Sequence, residues 1–133
     1  VEFAVVLIPF LIILMGIVDL GRGIYVMNGT AQAAREIARV TSVHTYSTCC
    51  DLGSSTQSQQ VIAVQRGLIP GLAISPSTDI VCVDVADTVI ADNTCRPGDY
   101  VRVHVTAPFT PVTPLVSAFG THTFESYSRI QIP

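Results

Sequence analysis

Residues 2–40 read EFAVVLIPFLIILMGIVDLGRGIYVMNGTAQAAREIARV. From Phe3 to Val18 this stretch carries no charge. At about 1.5 Å per residue those positions make a helix of roughly 24 Å, at the short end of what crosses a hydrocarbon layer. A secretory signal would close on a small-residue cleavage site. Here the chain continues in helical period instead: Ile24, Met27, Ala31, Ala34, Ala38 and Thr41 recur at spacings of three and four, with Tyr25, Ile37 and Val40 widening the stripe. The pattern predicts one helix running to about Tyr46, close to 70 Å at the same rise.

Two features distinguish this helix from a plain anchor. Pro9 has no N–H and leaves the Val5 carbonyl without its helical partner, so a kink is expected there, and Gly16, Gly21, Gly23 and Gly29 lower helix propensity. Glu2 places a carboxylate against the apolar run. In lipid or in a protein core such a group is stable only beside a partner, which makes Glu2 a functional candidate.

Working outward, the whole chain has 133 residues, 49% hydrophobic and 13% charged, with a formal net charge of −3. Soluble domains carry about twice that charge density. The deficit sits in the apolar run, so the expected organisation is an N-terminal helix over 1–46, with a membrane segment at 1–20 and an amphipathic stalk at 21–46, then a small head over 47–133. The 7 basic residues form no stripe, which argues against a nucleic-acid partner. The length excludes a multidomain enzyme.

After Tyr46 the composition turns to STCCDLGSSTQSQQ, a surface loop by its turn chemistry. Val61, Ile62, Val64, Leu68 and Ile69 then read as a second helix, capped near Ser55 and stopped at Pro70-Gly71. Val81, Val83 and Val85 alternate with Ile80, Cys82 and Asp84, and Val101, Val103, Val105 and Ala107 with Tyr100, Arg102, His104 and Thr106. Phe124, Ile130 and Ile132 oppose Thr123, Glu125, Tyr127 and Arg129. These are strand patterns. The expected fold is α+β: the long helix, a second helix and an antiparallel meander of three strands or slightly more. Pro108, Pro111 and Pro114 suit an extended crossover, and Leu115 to Phe119 a single helical turn.

Chemistry-bearing groups are sparse. His44, His104 and His122 stand beside no nucleophile in any motif, so no catalytic residue, metal site or cofactor is expected. Asp79, Asp84, Asp87, Asp92 and Asp99 read as a solvated acidic edge. Glu36 stands three residues before Arg39, within pairing distance on a helix, and Asp19 and Arg22 just beyond the apolar run are further candidates for ion pairs. Four cysteines in a small head read as disulfides. Because a bridge between the adjacent Cys49 and Cys50 is strained, two pairings remain: Cys49–Cys82 with Cys50–Cys95, or Cys49–Cys95 with Cys50–Cys82.

The ordered set Glu2-Phe3, Pro9, Gly16, Asp19, Gly21, Arg22, Ala34-Arg35-Glu36, Ala38-Arg39 and Thr113-Pro114, with VRVHVTAPFTPVTPLVSAFG at 101–120, resembles the TadE-like pilins and pseudopilins of the tight-adherence (Flp-type) branch of type IV pili. The resemblance implies a pilin-like fold with a head on a helical stalk. It implies that Glu2 corresponds to the acid that neutralises a neighbouring subunit's N-terminal amine inside the filament. Three residues would then precede Val1 in the mature chain, after a short basic leader ending in Gly and removed by a prepilin peptidase. Glu2, Phe3, Pro9, Gly16, Asp19 and Arg22 are the implied assembly residues. The implied partners are further copies of the chain in a helical homopolymer, other pilins, and the inner-membrane assembly machinery. The implied route is from inner membrane to a bacterial surface filament serving adhesion. An assembly factor of the same machinery and a membrane-anchored extracellular binding module are the alternatives.

Overall fold

The computed structural model describes residues 2–44, 52–90, 95–113, 117 and 120–133. The expected stalk end at Tyr46, Cys49, Cys50, Asp92, Pro114 and all of the Leu115–Phe119 turn except Ser117 lie outside these residues.

One unbroken helix, α1 (Glu2–Val43), carries the apolar run and the stalk, with Pro9 inside it. Its two halves meet different surroundings. Fourteen large apolar side chains between Phe3 and Leu20 are 38–79% exposed, whereas Ala33, Ala34, Ile37 and Ala38 are wholly buried. The buried face is Thr30, Ala33, Ala34, Ile37, Ala38, Thr41 and Ser42. It is shifted from the sequence stripe, because Ile24, Tyr25 and Met27 remain 47–58% exposed. Alanines at the contact let the helix axis approach the sheet closely.

The second helix, α2 (Thr56–Leu68), starts where its cap residue predicts. The Ser55 hydroxyl accepts the Ser58 amide at 3.1 Å, an N-cap worth about 1 kcal/mol. Ser55 and Ser58 also share a hydroxyl–hydroxyl bond of 2.7 Å, and Ser58 meets Thr41 of α1 at 3.2 Å, so the buried polar atoms between the helices satisfy one another. Only Ile62 of the apolar α2 positions is fully buried; Val64 and Leu68 are exposed. At the near approach, a Cβ on Gly29 of α1 would come within 3.1 Å of Ile69, so a bare backbone is what fits there.

A four-residue turn of helix, α3 (Pro76–Asp79), leads into the sheet, which is the expected three-stranded antiparallel meander: β1 (Ile80–Val83), β2 (Tyr100–Phe109) and β3 (His122–Gln131), in that order. In β2, Val101, Val103, Val105 and Ala107 point into the core and alternate with half-buried neighbours. In β3 the half-buried parity runs Phe124, Ser126, Ser128, Ile130. In β1 the expected parity is reversed. Ile80 and Cys82 are buried along with Val83, while Val81 is half-buried and Val85 is 76% exposed. The strand ends early because Asp84 turns the chain: its carboxylate accepts the Thr88 amide at 2.8 Å.

Beyond β1, the central strand finds a different neighbour. Thr106 exchanges two backbone bonds with Ala73, of 2.8 and 3.1 Å. Backbone direction repeats every second residue, so the nitrogen of Pro108 faces this same side and its missing donor breaks no bond with β3. The chain reaches Ala73 through Gly71, at φ 77°, where a Cβ would also lie 2.9 Å from Pro108. Only glycine meets both conditions without strain.

The disulfide joins Cys82 to Cys95, with Cα atoms 5.6 Å apart. Both expected pairings crossed these two cysteines to Cys49 and Cys50, and the structure corrects them. After the turn the chain lies beside β1 as far as Ile90, which donates to the Cys82 carbonyl at 2.9 Å. The acidic residues serve turns. Asp79 accepts the Ser75 amide, Asp99 accepts the Arg96 amide, and Asp87 pairs with Arg102 at 3.0 Å.

Candidate functional site

The apolar half of α1 and the head meet at Asp19. Its carboxylate is 4% exposed although it stands next to the most apolar part of the chain. The donors that permit this come from 93 and 94 residues away: the Val112 amide at 2.9 Å, the Thr113 amide at 2.6 Å and the Thr113 hydroxyl at 2.5 Å, all on Oδ2. Arg22, one turn on, reaches Oδ1 at 3.2 Å and lies over the Phe109 ring. Charge-assisted bonds of this kind are the strong ones. The Thr113 hydroxyl, the Thr113 and Val112 amides and Arg22 together offset the cost of burying this charge.

The consequence is mechanical. After β2 the chain, from Phe109 to Thr113, crosses α1 as a strap and is fastened at Asp19, so the head grips the helix where the uncharged run ends. Among the described residues, the donors to Asp19 are Val112, Thr113 and Arg22. The sequence placed Asp19 in the right neighbourhood of the helix but offered no sign of its partner. Thr113 was visible only as part of a Thr-Pro pattern.

The other sequence-derived positions are distributed along α1. Glu2 and Phe3 are exposed in its first turn, Phe3 by 79%, and among the described residues Glu2 has no ion pair. Pro9 is exposed within the helix. A Cβ on Gly16 would meet nothing within 4 Å, so its own subunit makes no demand for glycine there. Arg35, Glu36 and Arg39 are exposed along an open groove shared with Gln65 and Leu68 of α2. The Glu36–Arg39 pair does not form among the described residues.

His104 is one cluster that sequence reading passed over. It stacks on Tyr127 at 4.4 Å, with Asp79 3.6 Å from Nδ1 and Glu125 3.7 Å from Nε2. No nucleophile stands beside it, and the group braces the outer face of the sheet.

Set against known families, residues 1–39 match the model of the TadE-like protein family. The likeness read from the sequence is therefore found over the apolar run and the first part of the stalk. The match ends at Arg39, so the similarity of residues 101–120 stands on their pattern alone. No curated protein and no solved structure matches the chain.

Proposed function

We propose that this chain is a structural subunit of a Tad-type, type IV pilus-like filament. The observation that carries the reading is the contrast within α1: fourteen large apolar side chains stand open at one end of a helix whose other end is the core of a folded head. The most apolar 18 residues have a mean hydropathy of 2.8, enough to cross a membrane. Two environments suit such a surface, a bilayer before assembly and a bundle of like helices afterwards. The TadE-like match over the same residues supports association with the Tad pilus.

On this reading the subunit waits in the inner membrane with its head outside the cytoplasm, is processed by a prepilin peptidase and is inserted by the pilus machinery into a homopolymer used for surface attachment. In the dry bundle an unpaired Glu2 carboxylate would be costly, and a neighbour's ammonium offsets that cost. Registers that bring the two together are thereby selected over slipped ones. Glu2→Leu is expected to leave the protein inserted and folded but to abolish filaments in sheared surface material viewed by electron microscopy. A normal filament yield from that variant refutes the role given to Glu2. Wild-type chain confined to filament tips by immunogold labelling would make it a minor pseudopilin.

A further inference from the structure

The sheet has two edges, and among the described residues the chain covers one of them. Beside β1 the Asp84 amide donates to the Thr88 carbonyl at 3.0 Å and the Ile90 amide to the Cys82 carbonyl at 2.9 Å, and farther along β2 Ala73 takes the same margin. At the other edge β3 pairs with β2 alone. The register tells which backbone groups of β3 are left over. Thr106 directs its N–H and C=O to Ala73, away from its β3 neighbour Glu125, and in an antiparallel pair of that kind both residues point these groups outward. Ile132 has the other phase, and its amide turns inward to the Asp99 carbonyl at 2.8 Å. Since direction repeats every second residue, Thr123, Glu125, Tyr127, Arg129 and Gln131 offer their backbone donors and acceptors along an open edge about 27 Å long. Sheets commonly blunt such an edge with proline, bulges, inward charges or shortness. β3 has 10 residues in unbroken register, no proline, and Phe124, Ser126, Ser128 and Ile130 on its inward side.

This edge adjoins the open groove of about 840 Å³ that Ser128, Arg129 and Ile130 share with Arg35, Glu36 and Arg39 of α1. Its charge is one-sided, three guanidiniums against one carboxylate, in a chain whose net charge is −3. Arg129 is engaged within the head by the Asp84 and Val85 carbonyls, whereas Arg35 and Arg39 have no acceptor among the described residues. The two stand four residues apart on α1, about 6 Å along its axis, and alternate side chains on one face of an extended strand are about 6.8 Å apart. We propose that the β3 edge takes up an extended segment of a partner protein with acidic residues at alternate positions. Its backbone adds a fourth strand to the sheet, and its carboxylates meet Arg35 and Arg39. The row of alternating donors and acceptors calls for a polypeptide, and the unanswered guanidiniums call for acid. A second copy of β3 suits the site poorly, because it brings a single acid, Glu125, and a further arginine, Arg129. Nothing in this site depends on the filament reading.

The probe is a fluorescein-labelled peptide, Thr-Glu-Val-Glu-Val-Glu-Val-Glu-Thr, titrated into the detergent-solubilised full chain and followed by fluorescence anisotropy. Saturable binding that weakens as salt rises is expected. Two further peptides carry N-methyl groups, one on its glutamates and the other on its valines. Only one phase of an added strand bonds to β3, so one of them should bind about tenfold or more weakly and the other like the parent. Arg35→Glu/Arg39→Glu changes two exposed side chains and should lower affinity about tenfold or more while the urea midpoint of the head stays in place. In the complex the Glu125, Tyr127 and Arg129 amides should exchange with deuterium more slowly than in the free chain, read residue by residue by NMR. No binding at about 1 mM peptide, equal binding of both methylated peptides, or undiminished binding by the doubly substituted chain overturns the proposal. Slowed exchange of the same three amides when the chain alone is concentrated gives the edge to a second copy and overturns it as well. Displacement of the parent peptide by inorganic polyphosphate, with both methylated peptides bound as tightly as the parent, makes the groove a general polyanion site and overturns the added strand.

Discussion

The Cys82–Cys95 bond has a sequence separation of 13 and so closes a loop of 14 residues, Cys82 to Cys95 inclusive. In the chain-entropy treatment a loop of that length restricts the unfolded ensemble by about 3 kcal/mol at 25 °C. Replacing both residues in a Cys82→Ala/Cys95→Ala variant removes the bond and keeps the wholly buried Cys82 site apolar. With a urea slope of about 1–3 kcal/mol per molar, the unfolding midpoint should fall by roughly 1–3 M. The chain has four tyrosines and no tryptophan, so tyrosine emission of the detergent-solubilised full chain follows the transition. A midpoint that moves by less than about 0.3 M with an unchanged slope refutes the reasoning. It would mean that the backbone bond from Ile90 to Cys82 and the turn at Asp84 already close the loop in the absence of the bridge.

Two further outcomes follow from the core and the strap. Ile37→Ala removes a wholly buried side chain at the centre of the α1 contact and should destabilise the head by about 2–5 kcal/mol, measured by the same denaturation series; a loss below 1 kcal/mol contradicts the packing described. Asp19→Asn removes the charge that the Val112 and Thr113 donors hold and should lower the midpoint in the same denaturation series; an unchanged midpoint refutes the strap's hold.

Where pattern and local chemistry decide an element, the chain announced it. The Ser55 cap and the alternation of Val101, Val103 and Val105 are local properties, and the meander followed from them, whereas Pro9, where a kink is expected, does not interrupt α1. The parity of β1 was illegible because apolar residues stand on both phases, Ile80 and Cys82 on one and Val81 and Val83 on the other, and only tertiary packing, with Leu72 and Ile74 in the same core, settles which side is inward. The disulfide was misread for a related reason: strain excluded one pair among four cysteines, but the route that the chain takes back along β1 is a tertiary fact. Asp19 is the sharpest case. A carboxylate after an apolar run reads as an interfacial charge, and nothing within a helical turn or two identifies Thr113 as its partner.

The continuity of α1 also decides how the molecule carries tension. A pull on the apolar end travels along a single hydrogen-bonded rod whose far half is itself the centre of the head, at Ala33, Ala34, Ile37 and Ala38. The load arrives as shear along the helix axis, shared by the strap at Asp19, the sheet and α2 at once, because α1 is helical throughout from Glu2 to Val43.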